Sequence, residues 1–347
     1  MSDNTLFKDY LELILEHNDL SAEEAADALG MIIRGDVSEA ETGAFLFGMR
    51  QKGETVEELA SFVEVMRKAA VPVNVNTDGA VDLCGTGGDG SGTFNISTAA
   101  MFVVAGAGIP VLKHGNRSIS SKCGSADVLE TLGVVPDLDA KNVETCFKET
   151  GMAFMFAPKF HPAMKYVMPS RRALGIRTFF NILGPLMNPA GVKRQVVGAY
   201  NQEVAEMCIN ILAQLDTEQA ITVHSFDGLD EFTTTDKAYL YRYKKGHRVT
   251  GTSINARELG FRRALPADLA GGDAETNARI ITQILQGEST RAQREIVVLN
   301  AAYAILVSGR IQDIDNAIKL AHDSIRSGNA FIKLNQLSEC SNDLSKP

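Results

Sequence analysis

The sequence predicts an α/β protein: a small N-terminal α-helical domain over residues 1–70, joined to a larger α/β domain over 71–347 with a mostly parallel central sheet flanked by helices. Three observations carry that prediction. Residues 1–70 contain three Ser/Thr-x-x-Glu capping boxes and no comparable strand signal. From residue 80 onward, short apolar runs bounded by turn formers alternate with helical stretches, the pattern of βα units. Nine of the chain's 30 glycines fall between Gly85 and Gly124, as expected where backbone must turn left-handed or approach a ligand closely.

The boxes Ser21 to Glu24, Ser38 to Glu41 and Thr55 to Glu58 each precede an apolar-periodic run, so residues 1–70 read as four short helices. A bundle this small leaves apolar faces over, including Ala44, Phe45, Phe47 and Met49, which must pack on the main domain or on another subunit. Val71 to Asn76 reads as an extended crossover. Ala80 to Cys84 reads as a buried strand running into the glycine loop, and Asn95-Ile96-Ser97-Thr98 opens a helix over 99–107, with Asn95 or Ser97 near its N-cap and Gly108 as its stop. Ile109 to Leu112 is predicted as a second strand beside the first, ending on Lys113-His114-Gly115-Asn116-Arg117.

Asp139 caps a helix that runs to Thr150, and Met152 to Phe156 is a further strand. Residues 157–162 read as a loop entering a helix at Pro162 or Ala163, with Arg171 and Arg172 near its end. Strands over 192–200 and 219–224 enclose a helix over 202–214, followed by the loop Asp227-Gly228-Leu229-Asp230-Glu231. A hairpin over 237–254 and three helices over 273–287, 291–308 and 313–327 close the chain.

A helix that starts behind a glycine loop is an anion site, because its free N–H groups and positive dipole end point into the loop. Ligands of parallel sheets sit beyond the carboxyl ends of the strands, so the glycine loop and the Lys113 to Arg117 turn are expected to face one cleft. Gly85-x-Gly87-x-x-Gly90 has dinucleotide-fingerprint spacing, but the helix does not start at the last glycine, Asp89 would oppose a pyrophosphate, and the second strand ends in Lys113 rather than an acid. A P-loop is excluded because no Lys-Ser or Lys-Thr follows Gly90. Asp230 and Glu231 are either a solvated pair or, at the carboxyl end of an apolar strand, hard-oxygen ligands for magnesium. Arg171 is either solvated or a bidentate carboxylate binder. His114 is either a base or a structural histidine.

With 34 basic and 43 acidic side chains the net charge is −9, which argues against nucleic acid as the main partner. Anionic substrates would then require a local positive focus, for which Lys113, His114, Arg117, Lys122, Arg171, Arg172 and Arg177 are the candidates. The longest uncharged apolar run, Ala99 to Leu112, has 14 residues with Gly and Pro inside it, too short for a membrane span. The N-terminal segment carries acids where a signal peptide needs bases, so a cytoplasmic protein is expected. The five cysteines include no pair at metal-ligand spacing, which disfavours zinc or a disulfide framework.

The segments GTGGD, FNIST, KHGNR and SKCGSADVLE, with FFNILGP and DGLDE further on, occur in one order and spacing over nearly the whole chain. Together they resemble the anthranilate phosphoribosyltransferase family. The related pyrimidine nucleoside phosphorylases carry a Lys-His-Ser-type lead-in to the glycine loop, where this chain has Asp82-Leu83-Cys84.

The resemblance implies transfer of 5-phosphoribose from phosphoribosyl pyrophosphate to the amine of anthranilate, with Mg2+ as cofactor and a homodimer formed through the helical domain. It implies a phosphoribosyl pyrophosphate site at Gly85, Gly88, Asp89, Thr93, Asn95, Ser97, Thr98, Lys113 and Ser125. It further implies an anthranilate site at Gly85, Asn116, His161 and Arg171, and magnesium ligands Ser97, Asp230 and Glu231. Met187, Cys123 and Phe232-Thr233 depart from the family's usual residues without removing a charged side chain from the site. The rivals are a nucleoside phosphorylase or a transferase for another aromatic acceptor and, outside enzymes, a binding paralogue that kept the fold.

Overall fold

A computed structural model describes residues 6–117 and 123–346. Four helices open the chain: α1 (Phe7–Leu15), α2 (Ala22–Arg34), α3 (Glu39–Lys52) and α4 (Val56–Lys68). All three capping boxes form. Ser21, Ser38 and Thr55 accept from the N–H of Glu24, Glu41 and Glu58, whose carboxylates accept in return from the cap N–H at 2.9, 2.8 and 2.8 Å. Glu58 is fully buried, and its charge is met there by the Lys52 ammonium at 3.0 Å and the Leu20 N–H at 2.8 Å.

The apolar side chains of this bundle do not close on themselves. Phe45, Phe62 and Met49 join one core with residues of α9 (Met168–Leu174), α10 (Phe180–Leu183) and α11 (Gln202–Gln214) and with Val167 and Phe179 before them. Phe62 and Phe179 meet at 4.6 Å between ring centroids. Of the faces expected to be left over, Phe45 and Met49 are buried inside this core, whereas Phe47 is 53% exposed and Ala44 is exposed.

The main sheet has the order β1-β4-β5-β6-β7, formed by β1 (Asp82–Gly85), β4 (Arg194–Gly198), β5 (Gln219–Ser225), β6 (Lys237–Lys244) and β7 (Thr250–Asn255). The first three strands are parallel, and the last two are the antiparallel hairpin expected over 237–254. One expectation holds in part: the second strand lies beside the first, but not as a continuous member of its sheet. The second strand, β2 (Val111–Gly115), does not extend this sheet but pairs in parallel with β3 (Met152–Phe156) as a separate ladder. It touches the β1 side at the bridge between Val81 and Val111, beyond which the His114 N–H goes to the Asp82 carboxylate at 3.3 Å instead of to a strand carbonyl. A side chain has taken the acceptor role that a ladder needs.

Helix α5 (Ile96–Gly106) is the hub of the second core, and every residue from Thr98 to Ala105 is buried. It packs against α13 (Arg291–Val307), α14 (Ile314–Arg326) and α15 (Asn329–Ser345). Gly106 permits the approach: a Cβ there would lie 2.6 Å from the Ala330 nitrogen. Helix α15 lies beyond the three helices expected at the end of the chain; it starts on Gly328 without a side-chain cap, so no capping motif announces it. Helices α6 (Ser125–Thr131), α7 (Ala140–Thr150), α8 (Ala157–Phe160) and α12 (Ala274–Gln286) complete the shell. α8 occupies the stretch read as a loop and a 3-10 turn over Pro162–Tyr166 stands where the helix was expected to begin, so Arg171 stands in a separate short helix, α9. No described helix is long and apolar enough to cross a membrane.

Candidate active site

The site forms where β1, β4 and β5 end. β1 stops at Gly85, in register with Gly198 of β4, and the loop after β5 lays Asp230 across both glycines. A Cβ at Gly198 would sit 1.5 Å from the Asp230 carbonyl oxygen, and one at Gly85 would sit 2.5 Å from its Oδ2. These two glycines are absent side chains that make room for a carboxylate. We expect Gly198→Ala to leave an insoluble or unfolded product, or a folded one with Asp230 displaced and its activity gone; normal activity from a stable Gly198→Ala variant would contradict this geometry.

Past Gly85 the chain turns through Gly87, Gly88, Gly90 and Gly92, whose φ values lie between +65° and +76°. The Gly87 N–H donates to Asp230 Oδ2 at 2.8 Å, and the Asp230 N–H reaches Asp89 at 3.5 Å. The Thr86 N–H donates to the Gly198 carbonyl at 2.9 Å and its hydroxyl accepts from the Tyr200 N–H at 3.1 Å. Arg177 donates to the Gly88 carbonyl at 2.7 Å while its guanidinium lies 4.2 Å from the Tyr200 ring centroid. The loop is therefore held by the strand end on one side and by the helical core's own segment on the other.

The first turn of α5 meets the same loop. The Ser97 N–H donates to Glu231 Oε1 at 3.1 Å, as a helix N-terminus does to an anion. Lys113 reaches in from β2, 2% exposed, donating to the Leu83 carbonyl and to the Ser97 hydroxyl at 3.3 Å. Behind it Asp82 is fully buried and accepts from the Asn188 amide at 2.8 Å and from the His114 N–H. Burial raises the Asp82 carboxyl to about 6, with the Lys113 charge as the largest opposing influence.

Burial also pushes Asp230 and Glu231 well above the ordinary carboxylate range, reinforced by the Asp89 charge at Asp230 and by Asp230 at Glu231, and only partly opposed at Glu231 by Lys113. Two adjacent acids that resist ionisation where they stand are a site in deficit of positive charge, and their hard oxygens suit magnesium. Among the described residues no three His, Cys, Asp or Glu side chains gather to hold a metal on their own. The remaining ligands would thus come from water and a substrate phosphate, as magnesium prefers.

The other expected residues fall into two groups. Asn95 is the N-cap of α5, but its side chain donates to the Cys123 carbonyl at 3.1 Å and accepts from Asn277 at 2.9 Å, so it braces the loop before α6 from inside. Thr98 is 1% exposed with no hydrogen-bond partner for its hydroxyl among the described residues, and Thr93 sits in the loop beside Ser91 at 3.2 Å. Ser125, at the start of α6, donates to the Asn116 carbonyl at 3.2 Å. Of the basic focus, Arg117 is committed to Asp127 and Glu130 at 2.8 Å each, Arg172 is exposed, and Lys122 lies outside the described residues.

His114 and His161 stack edge to face at 5.1 Å between ring centroids, 6% and 3% exposed. Burial lowers them to about 3 and about 4, with the His161 ring adding to the effect on His114. Both are neutral at pH 7. Just after the 3-10 turn, α9 is anchored to α3 by the Ser170 hydroxyl, which donates to the Glu39 carbonyl at 2.8 Å. It presents Arg171 half-buried, 5.3 Å from the Phe180 ring centroid and without a carboxylate partner among the described residues. Burial lowers the Arg171 pKa.

Sequence reasoning assigned no role to Asp82 or Asn188, which hold the backbone at Leu112 and His114 on either side of Lys113, nor to Thr86 and Tyr200, which fix the loop. A lone acid inside the apolar run Ala80 to Cys84 was the available signal, because a buried charge demands partners.

Residues 77–331 match the family described as "Glycosyl transferase family, a/b domain", and residues 8–70 match its "helical bundle domain". The chain is 47% identical over 336 residues to the anthranilate phosphoribosyltransferase of Salinibacter ruber, covering 96% of this chain and 98% of that one. It superposes on the crystal structure of anthranilate phosphoribosyltransferase from Thermus thermophilus with a TM-score of 0.90 at 34% identity, covering 96% of this chain and 99% of that one. The Saccharomyces cerevisiae enzyme in complex with PRPP and Mg gives a TM-score of 0.89 at 25% identity, with coverage of 98% and 99%.

Proposed function

The chain belongs to the anthranilate phosphoribosyltransferase family, and from that premise we propose which of its residues do the work. The reaction moves 5-phosphoribose from phosphoribosyl pyrophosphate to the amine of anthranilate, giving N-(5-phosphoribosyl)anthranilate and pyrophosphate in tryptophan biosynthesis. As the C1–O bond breaks, negative charge collects on the leaving pyrophosphate and positive charge on the ribose, so catalysis consists of stabilising the first and aligning the amine with the second.

The observation that supports these assignments is the single hydrogen-bonded run Gly87, Asp230, Glu231, Ser97 and Lys113. In our reading the turned glycines from Gly85 to Gly88 offer backbone N–H groups to the pyrophosphate, and Lys113 and Ser97 take a phosphate oxygen each. Asp89 orients the loop through the Asp230 N–H. Asp230, Glu231 and Ser97 hold magnesium, which when bound supplies charge neutralisation to the departing pyrophosphate. Arg171 receives the anthranilate carboxylate in a bidentate pair, with Asn116 and the His161 ring against the aromatic body. His114, neutral and buried behind the site, fills space there; we assign it no proton transfer.

Loss of anthranilate fluorescence in the presence of phosphoribosyl pyrophosphate and magnesium, abolished by a chelator, tests the whole assignment at once. A trace that ignores the chelator removes magnesium from it. Arg171→Ala is expected to raise the anthranilate KM roughly 10- to 100-fold, the loss of a charged hydrogen-bond pair, with little change for phosphoribosyl pyrophosphate. Equal effects on both constants would remove the carboxylate role.

We further propose that two copies associate through the helical bundle. Leu15 and Phe47, 80% and 53% exposed, lie on α1 and α3, which pack on each other, and they give this face more apolar surface than a solvated bundle needs. Sedimentation equilibrium should return twice the 37.4 kDa chain mass; a monomer at micromolar concentration would refute the association.

A further inference from the structure

A separate cavity of about 90 Å³ opens on the other flank of residues 233–237, between the start of β6 and the end of β7. It is too small for a nucleotide, whose pockets run to roughly 300 Å³ or more, but takes a group several times the ~30 Å³ share of one liquid water. Each of its seven lining residues has a polar side chain, and together these offer more donors than acceptors. Lys237, Arg257 and Arg263 line it, and none of the three forms an ion pair with a described residue. Arg263 spends only its Nε, on the Thr235 carbonyl at 2.8 Å. The side-chain oxygen of Asn255 accepts from the Arg257 N–H at 3.1 Å, which leaves its amide N–H groups uncommitted. Thr234, also in the lining, is 3% exposed and its hydroxyl has no hydrogen-bond partner among the described residues. Against these donors stands one acid, Asp236, whose carboxylate accepts from the Lys237 N–H.

In a chain of net charge −9, Lys237, Arg257 and Arg263, all exposed, form a local positive focus around one cavity, beside the buried hydroxyl of Thr234. We propose that this cavity is a binding site for a small oxyanion of the phosphate class, distinct from the pyrophosphate-binding loop at Gly85 to Gly88. The forked donors of Arg257 and Arg263 suit adjacent oxygens of a tetrahedral anion, and Lys237 supplies a point charge. The site also touches the catalytic strand end by a short covalent route. Thr233 and Thr235 donate their hydroxyls to Asp227, which opens the turn carrying Asp230 and Glu231. An anion drawn onto Arg263 therefore tightens the segment that follows the proposed magnesium ligands.

Calorimetric titration with inorganic phosphate tests the site in the full chain. The parent protein is expected to bind one phosphate more than the Arg257→Gln, Arg263→Gln double variant, or to bind that equivalent at least tenfold more tightly. Arg257→Gln alone, at an exposed side chain without an ion pair to lose, should weaken the same equivalent while its melting temperature stays that of the parent. Glycerol 3-phosphate in place of phosphate distinguishes the sources: comparable binding assigns a phosphoryl group carried on a larger molecule, and binding of inorganic phosphate alone assigns the free ion. The same stoichiometry and affinity for phosphate in the parent and both variants would overturn the proposal.

Discussion

Asp230→Asn combined with Glu231→Gln will lose on the order of 10²–10³ in kcat/KM at a magnesium concentration that saturates the parent, the scale of removing a fixed electrostatic partner from a developing charge. The shape of the amides preserves the acceptors for the Gly87 and Ser97 N–H groups, so the loop and the start of α5 keep their hydrogen bonds. What disappears is paired negative charge. Because burial and mutual repulsion already hold both carboxyls above their ordinary range, neutralising them relieves the apo protein. In a chelator the double variant should therefore melt at or above the parent's temperature while demanding far more magnesium for the activity that remains. An unchanged magnesium dependence would refute the pair as ligands, and a lower melting temperature would show that their charges serve the fold instead.

Lys113→Met will cost more in stability than in shape. Its ammonium is 2% exposed and is the main influence holding the buried Asp82 carboxyl down against desolvation. The two charges are not in direct contact, since the Lys113 ammonium donates to the Leu83 carbonyl and the Ser97 hydroxyl, so the cost is expected to lie below the about 3–5 kcal/mol of breaking a buried contact pair. The sign of the pH dependence follows. A carboxyl whose folded pKa stands above its unfolded value binds more protons when folded, so stability is highest below the unfolded value and falls as pH rises toward the folded one. Asp82 already stands near 6 against an ordinary 3.8, and without Lys113 it moves higher. The variant's deficit relative to the parent should then be small at pH 4 and grow through pH 6 and above, read from urea unfolding at each pH. Asp82→Asn added to Lys113→Met should recover much of the stability and none of the activity, since the charge facing the phosphate is still missing. A double variant as unstable as the single one would mean that packing, not charge, sets the cost.

Much of this molecule was legible in the chain because the signals involved are local. Capping boxes act over four residues, and all three close as written, as do the Asp139 cap and the helix over 202–214. Pairing between distant segments is not local: the continuous ladder of β2 is with β3, and although β2 stands beside β1, as expected, the two are joined only around Val81 and Val111. A competing side chain, the Asp82 carboxylate, ends the ladder there. The helix α15 begins on a bare glycine, and its apolar residues read as ordinary tail until α5 and α7 are there to receive them.

The candidate site divides the same way. Gly87, Ser97, Lys113, Asp230 and Glu231 announced themselves by glycine density, a helix start and a strand end, and the structure brings them together. Asn95 differs in kind from the expectation: it stands at the helix start, yet its amide turns to Asn277, 182 residues further along the chain. Asn188 reaches Asp82 across 106 residues of sequence, a contact no window of the chain contains.

The proposed seats for the two substrates belong to two different apolar cores. Arg171 rides on α9, whose neighbours Val167 and Phe179 are part of the core of the helical bundle, while Lys113 and Ser97 stand on elements of the core built round α5. The Arg177 hydrogen bond to the Gly88 carbonyl joins one seat to the other. The two cores meet at the main sheet, where Val196 and Ile221 face one and Val197 and Ala220 the other, so that sheet sets the gap between nucleophile and anomeric carbon. Substitutions far from both ligands, in that sheet, are therefore expected to change turnover through alignment more than they change either dissociation constant.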